Sequence, residues 1–208
     1  TVQRALQKQG AIFSSTSDTE TLLHLVAVSK ERDLNARFID AVRQVEGAFS
    51  LVALSSKKMI GCRDPLGIRP LVLGDLDGAW ILASETCALD IIGARFVRDI
   101  KPGEMVVITS KGVESHFPFE PQKPRFCIFE YVYFARPDSS VEGRNVYDVR
   151  KRIGAELARE SPVDADIVVP VPDSGTPAAI GYSQEAGLPF ELGIIRNHYV
   201  GRTFISPG

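Results

Sequence analysis

VVPVPDSGTPAA, residues 168–179, is the stretch that decides the predicted fold of this chain. An apolar run ends in a short loop of small polar residues, and a helix then starts with Thr176 as its N-cap and Pro177 as its first residue. Backbone N–H groups at such a helix start bind phosphate or pyrophosphate well. The oxygens of Asp173 and Ser174 could hold a magnesium ion on that phosphate. An ordinary strand-to-helix turn explains the same residues, because the P-loop lysine pattern is missing.

Helices and strands alternate around this stretch, which is typical of a parallel sheet. The pattern predicts, in order, a helix, a strand, a helix and a strand at 145–159, 166–171, 176–185 and 190–195. Two parallel strands cannot cover their own faces, and the chain starts at Thr1 without a methionine. We therefore expect a piece of a longer protein, or a processed one.

Residues 1 to about 118 show a different pattern of predicted secondary structure, with helices first and short strands afterwards. Helices are predicted at 18–29 and 34–45, the first with a capping box formed by Ser17 and Glu20. Short β-rich runs separated by turn signals predict an antiparallel meander, with a short helix at 86–92. The strands of the meander are expected at 48–54, 59–63, 71–76 and 79–84, and two more strands are expected at 105–109 and 113–117. The three prolines of 118–125 then indicate a boundary, so that an α+β domain precedes an α/β domain.

Composition excludes several classes of function. The 208 residues carry a formal net charge of -2, which argues against a general nucleic-acid or membrane surface. No apolar run approaches the roughly 18 residues of a membrane span. Three cysteines without a CxxC pair fit reduced thiols, which predicts a cytoplasmic protein.

Three further segments carry groups that could bind a ligand, each with a simpler alternative. In 196–203 (RNHYVGRT), Arg196 and Arg202 could bind an anion or could belong to a solvated basic loop. In 14–20 (SSTSDTE), a carboxylate could hold the ammonium of an amino acid, although helix capping explains Ser17 and Glu20. In 63–70 (RDPLGIRP), the charged residues could line a site or form a buried ion network, or the prolines could make a rigid turn.

Two longer strings are specific to one protein family. FCIFEYVYFARPDS at 126–139 and YVGRTFI at 199–205 resemble the amidophosphoribosyltransferases, and 17–20 and 63–70 match that family's glutaminase half. The resemblance implies an N-terminal-nucleophile glutaminase domain, an αββα sandwich, at 1–118 and a junction at 119–144. A type I phosphoribosyltransferase α/β domain is implied at 145–208. The first domain is expected to be truncated at its N-terminus and the second at its C-terminus.

The resemblance also implies roles for individual residues. Asp18 matches the residue that binds the α-amino group of glutamine. The nucleophilic cysteine of the mature N-terminus has no match, so no catalytic residue is expected in this chain. Ser174 matches the magnesium-linked position, and Cys127 matches either one ligand of a 4Fe-4S cluster or, in another branch, a cysteine without a cluster. The residues expected to bind phosphoribosyl pyrophosphate are Asp173, Ser174, Gly175, Thr176, Arg196 and Arg202.

The family consists of glycosyltransferases of purine biosynthesis that hydrolyse glutamine and join the ammonia to phosphoribosyl pyrophosphate. The resemblance implies the same reaction for the full-length protein, with Mg2+, inhibition by purine nucleotides, and a homo-oligomer that is a tetramer or a dimer. The 208 residues alone are expected to be inactive. A second hypothesis is a non-catalytic module that senses phosphoribosyl pyrophosphate or purine nucleotides. An amidotransferase of the glucosamine-6-phosphate type is disfavoured, because 168–179 and 199–204 belong with phosphoribosyl transfer.

Overall fold

The computed structural model describes residues 2–199 of the chain. They form two compact units. The first unit is made of Thr1–Ser84 and Gly93–Cys127, and the second of Glu85–Ile92 and Ile128–Gly208. The predicted domain limits at 118 and 144 refer to the family's catalytic domains and stay a prediction. Among residues 2–199, no helix combines the length and the apolar character that crossing a membrane requires.

The first unit consists of helices followed by short strands. Its helices are α1 (Val2–Lys8), α2 (Asp18–Val28) and α3 (Leu34–Val42). Its strands are β1 (Ser50–Leu54), β2 (Met59–Arg63), β3 (Val72–Leu76), β4 (Ala79–Ala83), β5 (Arg95–Asp99), β6 (Met105–Thr109) and β7 (Gly112–His116). Helix α3 starts where the carboxylate of Asp33 accepts hydrogen bonds from two N–H groups of the first turn.

The strands pair into two antiparallel sheets, as the resemblance to an αββα sandwich implies, so the pattern-based prediction of one continuous meander is wrong. The first sheet has the order β1-β2-β6-β7 and the second has the order β4-β3-β5. The chain leaves the first sheet after β2 and returns to it at β6, which is the direct neighbour of β2. The sequence did not predict β5, because charged residues at both its ends hide the short apolar pair Phe96 and Val97.

Strand β6 lies between two hydrophobic cores. Met105 and Val107 belong to the core that α2 and α3 cover, whereas Val106 and Ile108 belong to the core shared with the second sheet. None of these side chains is more than 8% exposed, and burial of each contributes about 1.5–3 kcal/mol. Because both faces of the strand are covered, its sequence is continuously apolar instead of alternating. The first unit is therefore layered as helices, first sheet and second sheet.

The second unit is mainly helical. Its elements are α4 (Thr86–Ile91), a π-helix (Glu130–Phe134), a hairpin of β8 (Ser140–Val141) and β9 (Arg144–Asn145), α5 (Val146–Glu160) and α6 (Thr176–Ala186). Helices α5 and α6 touch backbone to backbone. A Cβ atom on Gly154 would lie 1.8 Å from the carbonyl oxygen of Ala178, and one on Gly181 would lie 1.9 Å from that of Lys151. Only glycine allows this approach.

The strands predicted at 166–171 and 190–195 are wrong in extent. The described residues there form one parallel bridge between Val168 and Phe190. The N–H of Val168 donates to the carbonyl of Pro189 at 2.8 Å, and the N–H of Glu191 donates to the carbonyl of Val168 at 3.0 Å. Pro170, which follows, has no N–H to continue the ladder. The parallel direction agrees with the predicted α/β arrangement.

Candidate active site

Residues 171–176 form a tight turn that leads into α6. The N–H of Gly175 donates to the carbonyl of Val171 at 3.2 Å, and the N–H of Thr176 donates to that of Asp173 at 3.3 Å. A Cβ atom on Gly175 would lie 2.6 Å from the carbonyl oxygen of Val171, so the turn requires glycine at this position. The peptide bond between Pro172 and Asp173 is cis. The turn leaves Asp173 exposed and Ser174 half-buried.

Helix α6 starts differently from the prediction. Gly175 rather than Thr176 is the N-cap, and no side chain caps the helix. Thr176 is the first residue of the helix, and its N–H donates within the turn to the carbonyl of Asp173. The positive end of the α6 dipole still lies beside the polar turn, which favours negative charge there.

The two segments with anion-binding chemistry lie next to each other. Nη1 of Arg196 is 2.8 Å from Oδ2 of Asp173, although the two residues are 23 positions apart in the chain. The side chains are 45% and 63% exposed, respectively, so a ligand can reach both. Arg202, the other arginine predicted to bind the anion, lies outside the described residues.

Asp18 and Glu20 lie in the first turn of α2. Ser17 is at the N-cap position, but its side chain makes no capping hydrogen bond. The carboxylate of Glu20 accepts from Ser14 and Ser15 instead of from Ser17. The predicted capping box is therefore wrong, because the preceding loop folds back far enough to bring earlier N–H groups to the carboxylate. Asp18 is exposed, and among the described residues its carboxylate has no hydrogen-bond or ion-pair partner.

Residues 63–70 form a turn whose charged side chains support its backbone. Arg63 is 1% exposed and donates to three carbonyl oxygens at 2.7–2.9 Å. The carboxylate of Asp64, which is fully buried, accepts hydrogen bonds from two N–H groups of the turn. These contacts satisfy buried backbone groups. Arg63 and Asp64 are thus inaccessible to a ligand, and the interpretation as a rigid turn accounts for them.

The cysteines lie in different surroundings. Burial, together with the nearby carboxylate of Asp64, raises the pKa of the Cys62 thiol to about 12, and burial also raises the pKa of the Cys87 thiol. Both behave as small core residues, as predicted. Cys127 is half-buried, and its N–H donates to the carbonyl of Ile68 at 3.2 Å. Between residues 2 and 199, no group of three or more His, Cys, Asp or Glu side chains could hold a metal ion.

The chain is similar to known proteins over its whole length. A family model for a glutamine amidotransferase domain matches residues 1–90. The amidophosphoribosyltransferase of Rhizobium etli is 60% identical over 100% of this chain, and the chloroplastic one of Glycine max is 51% identical over 98% of it. The solved glutamine phosphoribosylpyrophosphate amidotransferase from B. subtilis, complexed with ADP and GMP, superposes on 100% of the chain with a TM-score of 0.93 and 43% identity. Over its whole length, the chain is thus similar to one part of the amidophosphoribosyltransferases.

The resemblance carried by 126–139 and 199–205 is thus confirmed, and so is the fold class of an amidophosphoribosyltransferase. The chain spans 43% of the length of the Rhizobium etli relative, 36% of the Glycine max relative and 46% of the solved B. subtilis chain. The glutamine amidotransferase match covers α1 to α3, where Asp18 lies, and also β1 to β4.

Proposed function

We propose that the full-length amidophosphoribosyltransferase containing this chain makes 5-phosphoribosylamine from phosphoribosyl pyrophosphate and ammonia taken from glutamine. This is the first committed step of de novo purine biosynthesis. The observation that carries the proposal is the 2.8 Å ion pair between Asp173 and Arg196. It brings two segments with phosphate-binding chemistry to one place, and the names of the relatives support the reaction.

In this reaction, Arg196 binds the pyrophosphate of the substrate. An exposed ion pair contributes only about 0–1 kcal/mol, so a phosphate group with several charged oxygens can replace the carboxylate of Asp173 on the guanidinium. Ammonia then forms the new C–N bond at C1 of the ribose while the C–O bond to pyrophosphate breaks, and one proton is released. Arg196 and the positive end of α6 stabilise the negative charge that grows on the leaving pyrophosphate.

Magnesium fits the turn by its donor chemistry. Mg2+ prefers oxygen ligands and is usually held by one or two carboxylates together with substrate phosphates. Asp173 and Ser174 offer such oxygens, and the carboxylate of Asp173 becomes available when Arg196 turns to the phosphate. The bound ion would neutralise part of the pyrophosphate charge.

A 4Fe-4S cluster does not fit the described residues by themselves. Cys127 is the one described cysteine that is not buried, while Cys62 and Cys87 are enclosed in separate places. Such a cluster needs several thiolate ligands. No step of the reaction is therefore derived through a cluster, and Cys127 stays a proposed ligand only.

On the glutamine side, Asp18 holds the α-ammonium of the substrate. Its carboxylate is exposed at the start of α2 and is not engaged by another described side chain. A carboxylate is the natural partner of an ammonium group. Glutamine, phosphoribosyl pyrophosphate and inhibitory purine nucleotides are the proposed ligands, a homo-oligomer is the proposed assembly, and the free cysteines support the cytoplasm as the compartment.

Kinetics of the full-length protein test the phosphoribosyl pyrophosphate site. Replacing Arg196→Ala should raise the KM for phosphoribosyl pyrophosphate by about tenfold or more, because a charge-assisted contact is worth about 1.5–3 kcal/mol. The matched control is Arg159→Ala, which removes an exposed arginine that pairs with Glu156 and Glu185. The control should leave this KM unchanged.

Two results would contradict the proposed function. Equal effects of the two arginine substitutions would show that the pair of Asp173 and Arg196 does not mark the substrate site. A wild-type protein that binds phosphoribosyl pyrophosphate in calorimetry, but forms no amine from either glutamine or ammonia, would be the sensing module instead.

A further inference from the structure

The carboxylate of Glu20 closes the loop that precedes α2. Its Oε1 accepts from the N–H of Ser14 at 2.7 Å, and its Oε2 accepts from the N–H of Ser15 at 2.8 Å and from the Ser15 hydroxyl at 2.6 Å. The same hydroxyl accepts from the N–H of Ser17 at 3.2 Å. Three donors therefore converge on the Glu20 carboxylate. The N–H of Ser17 is linked to it indirectly, through the hydroxyl of Ser15.

These hydrogen bonds close a ring that joins Glu20 to Ser14 and Ser15, and Asp18 lies within the segment that the ring encloses. Glu20 lies two residues after Asp18, and the serines that it binds lie before it. The loop thus has its backbone fixed on both sides of Asp18, while the carboxylate of Asp18 stays exposed and unbonded among the described residues. A fixed backbone that presents one exposed carboxylate suits the binding of a cation, because little conformational entropy of the loop is then lost on binding.

Charge makes this arrangement specific to glutamate. The N–H of Ser14 and the hydroxyl of Ser15 lower the pKa of the Glu20 carboxyl, so it is ionised at neutral pH. An ionised carboxylate has two acceptor oxygens, whereas the amide of glutamine has one acceptor oxygen and one NH2 donor. If glutamine replaced Glu20, its NH2 group would face an N–H or O–H donor of Ser14 or Ser15. At least one of the hydrogen bonds would then be lost. His24 is the other titratable neighbour, with Nε2 3.8 Å from Oε1 of Glu20.

We propose that Glu20 is a positioning residue for the amino-acid substrate: it holds the loop 14–18 so that the Asp18 carboxylate meets the α-ammonium of glutamine. The assignment rests on the proposed function. Glu20 itself does not touch the substrate, and its effect is confined to the affinity for glutamine. The step that uses ammonia and phosphoribosyl pyrophosphate does not involve this loop.

Steady-state kinetics of the full-length enzyme with two nitrogen sources test the proposal. Glu20→Gln should raise the KM for glutamine by about tenfold, the expected result of losing charge-assisted hydrogen bonds worth about 1.5 kcal/mol. It should change the kcat with glutamine far less, and it should not change amine formation from ammonium salts. Ser15→Ala, which removes one of the three donors, should raise the same KM by a smaller factor.

The matched control is Glu46→Gln, the same chemical change at an exposed glutamate of the first unit; it should not alter the KM for glutamine. An unchanged KM for glutamine in Glu20→Gln overturns the proposal, and so does an equal loss of activity with glutamine and with ammonia, which indicates general damage to the fold. A wild-type enzyme that forms no amine from either nitrogen source overturns the proposed function itself, and the role of Glu20 with it.

Discussion

At the scale of single residues, the buried carboxylate of Glu104 links strands of the two sheets, through Arg98 in β5 and Ser115 in β7. It is 1% exposed and accepts hydrogen bonds from both Nη atoms of Arg98 at 2.8 Å, from the Ser115 hydroxyl at 2.6 Å and from the N–H of Lys101 at 2.8 Å. Burial raises the pKa of this carboxyl, but the hydrogen bonds from Arg98, Ser115 and Lys101 outweigh it and lower the pKa overall. Glu104 is therefore charged and depends on its partners.

Removal of Arg98 should show how far the charged state of Glu104 depends on its partner. Arg98→Met should lower the free energy of unfolding by about 2–3 kcal/mol, because it leaves a buried carboxylate without its main counter-charge. Arg95→Met is the control: Arg95 pairs with Asp75 and is 69% exposed, so its loss should cost less than about 1 kcal/mol. Urea unfolding measures both. Similar losses for the two variants would mean that burial of Glu104 adds nothing to the strength of its pair.

The sequence pointed to candidate site residues, but it did not predict which groups these residues contact. The local pattern singled out the loop 171–176 and Arg196, whereas the family resemblance singled out Asp18; the structure brings Asp173 and Arg196 to 2.8 Å. The partners of Glu20 were wrong, because a capping box assumes a chain that enters the helix directly. Here, the loop folds back so that Ser14 and Ser15, up to six positions away, meet the carboxylate. No fixed spacing in the sequence signals such a bend.

At the scale of secondary-structure elements, the contact between α5 and α6 makes the sharpest prediction. Gly154→Ala should raise intrinsic helix stability by up to about 1 kcal/mol. The new Cβ atom would, however, lie 1.8 Å from the carbonyl oxygen of Ala178, which is backbone and cannot move aside. We therefore expect a net loss of about 1–3 kcal/mol in the free energy of unfolding, or more. A gain in stability would contradict the close packing of the two helices.

The matched control is Arg152→Ala, a substitution to the same residue at an exposed position of α5. It shares the favourable helix propensity of alanine without the clash, so chemical unfolding should show little change. The comparison separates helix propensity from packing, because only Gly154→Ala places an atom between α5 and α6.

Elements were predictable where a local pattern decides them. Strands β2 and β6 were predicted at their observed bounds, and α5 lies within one residue of its prediction. Pairing was not predictable, because β2 finds β6 across more than 40 intervening positions and only tertiary packing selects that partner. The strand at 166–171 failed for a local reason: an apolar run looks like a strand, but Pro170 has no N–H to continue the ladder.

At the scale of the whole molecule, the proposed phosphate site depends on two segments that are distant in sequence. In the structure, the carboxylate of Asp173 accepts a hydrogen bond from the guanidinium of Arg196. The same carboxylate is the proposed magnesium ligand. On this proposal, Asp173 would compete with an anion when the metal is absent and would assist the anion when the metal is present. The two effects have opposite signs, so a single substitution separates them.

Asp173→Asn should tighten the binding of inorganic pyrophosphate in the presence of a chelator by up to about fivefold, because release of an exposed ion pair is worth at most about 1 kcal/mol. The same variant should weaken the binding of pyrophosphate at saturating Mg2+, because a charged oxygen ligand of the metal is lost. Isothermal titration of the full-length protein with pyrophosphate, with chelator and with Mg2+, measures both. Equal shifts in the same direction under the two conditions would contradict the double role, since a carboxylate that only held the turn together would affect both titrations alike.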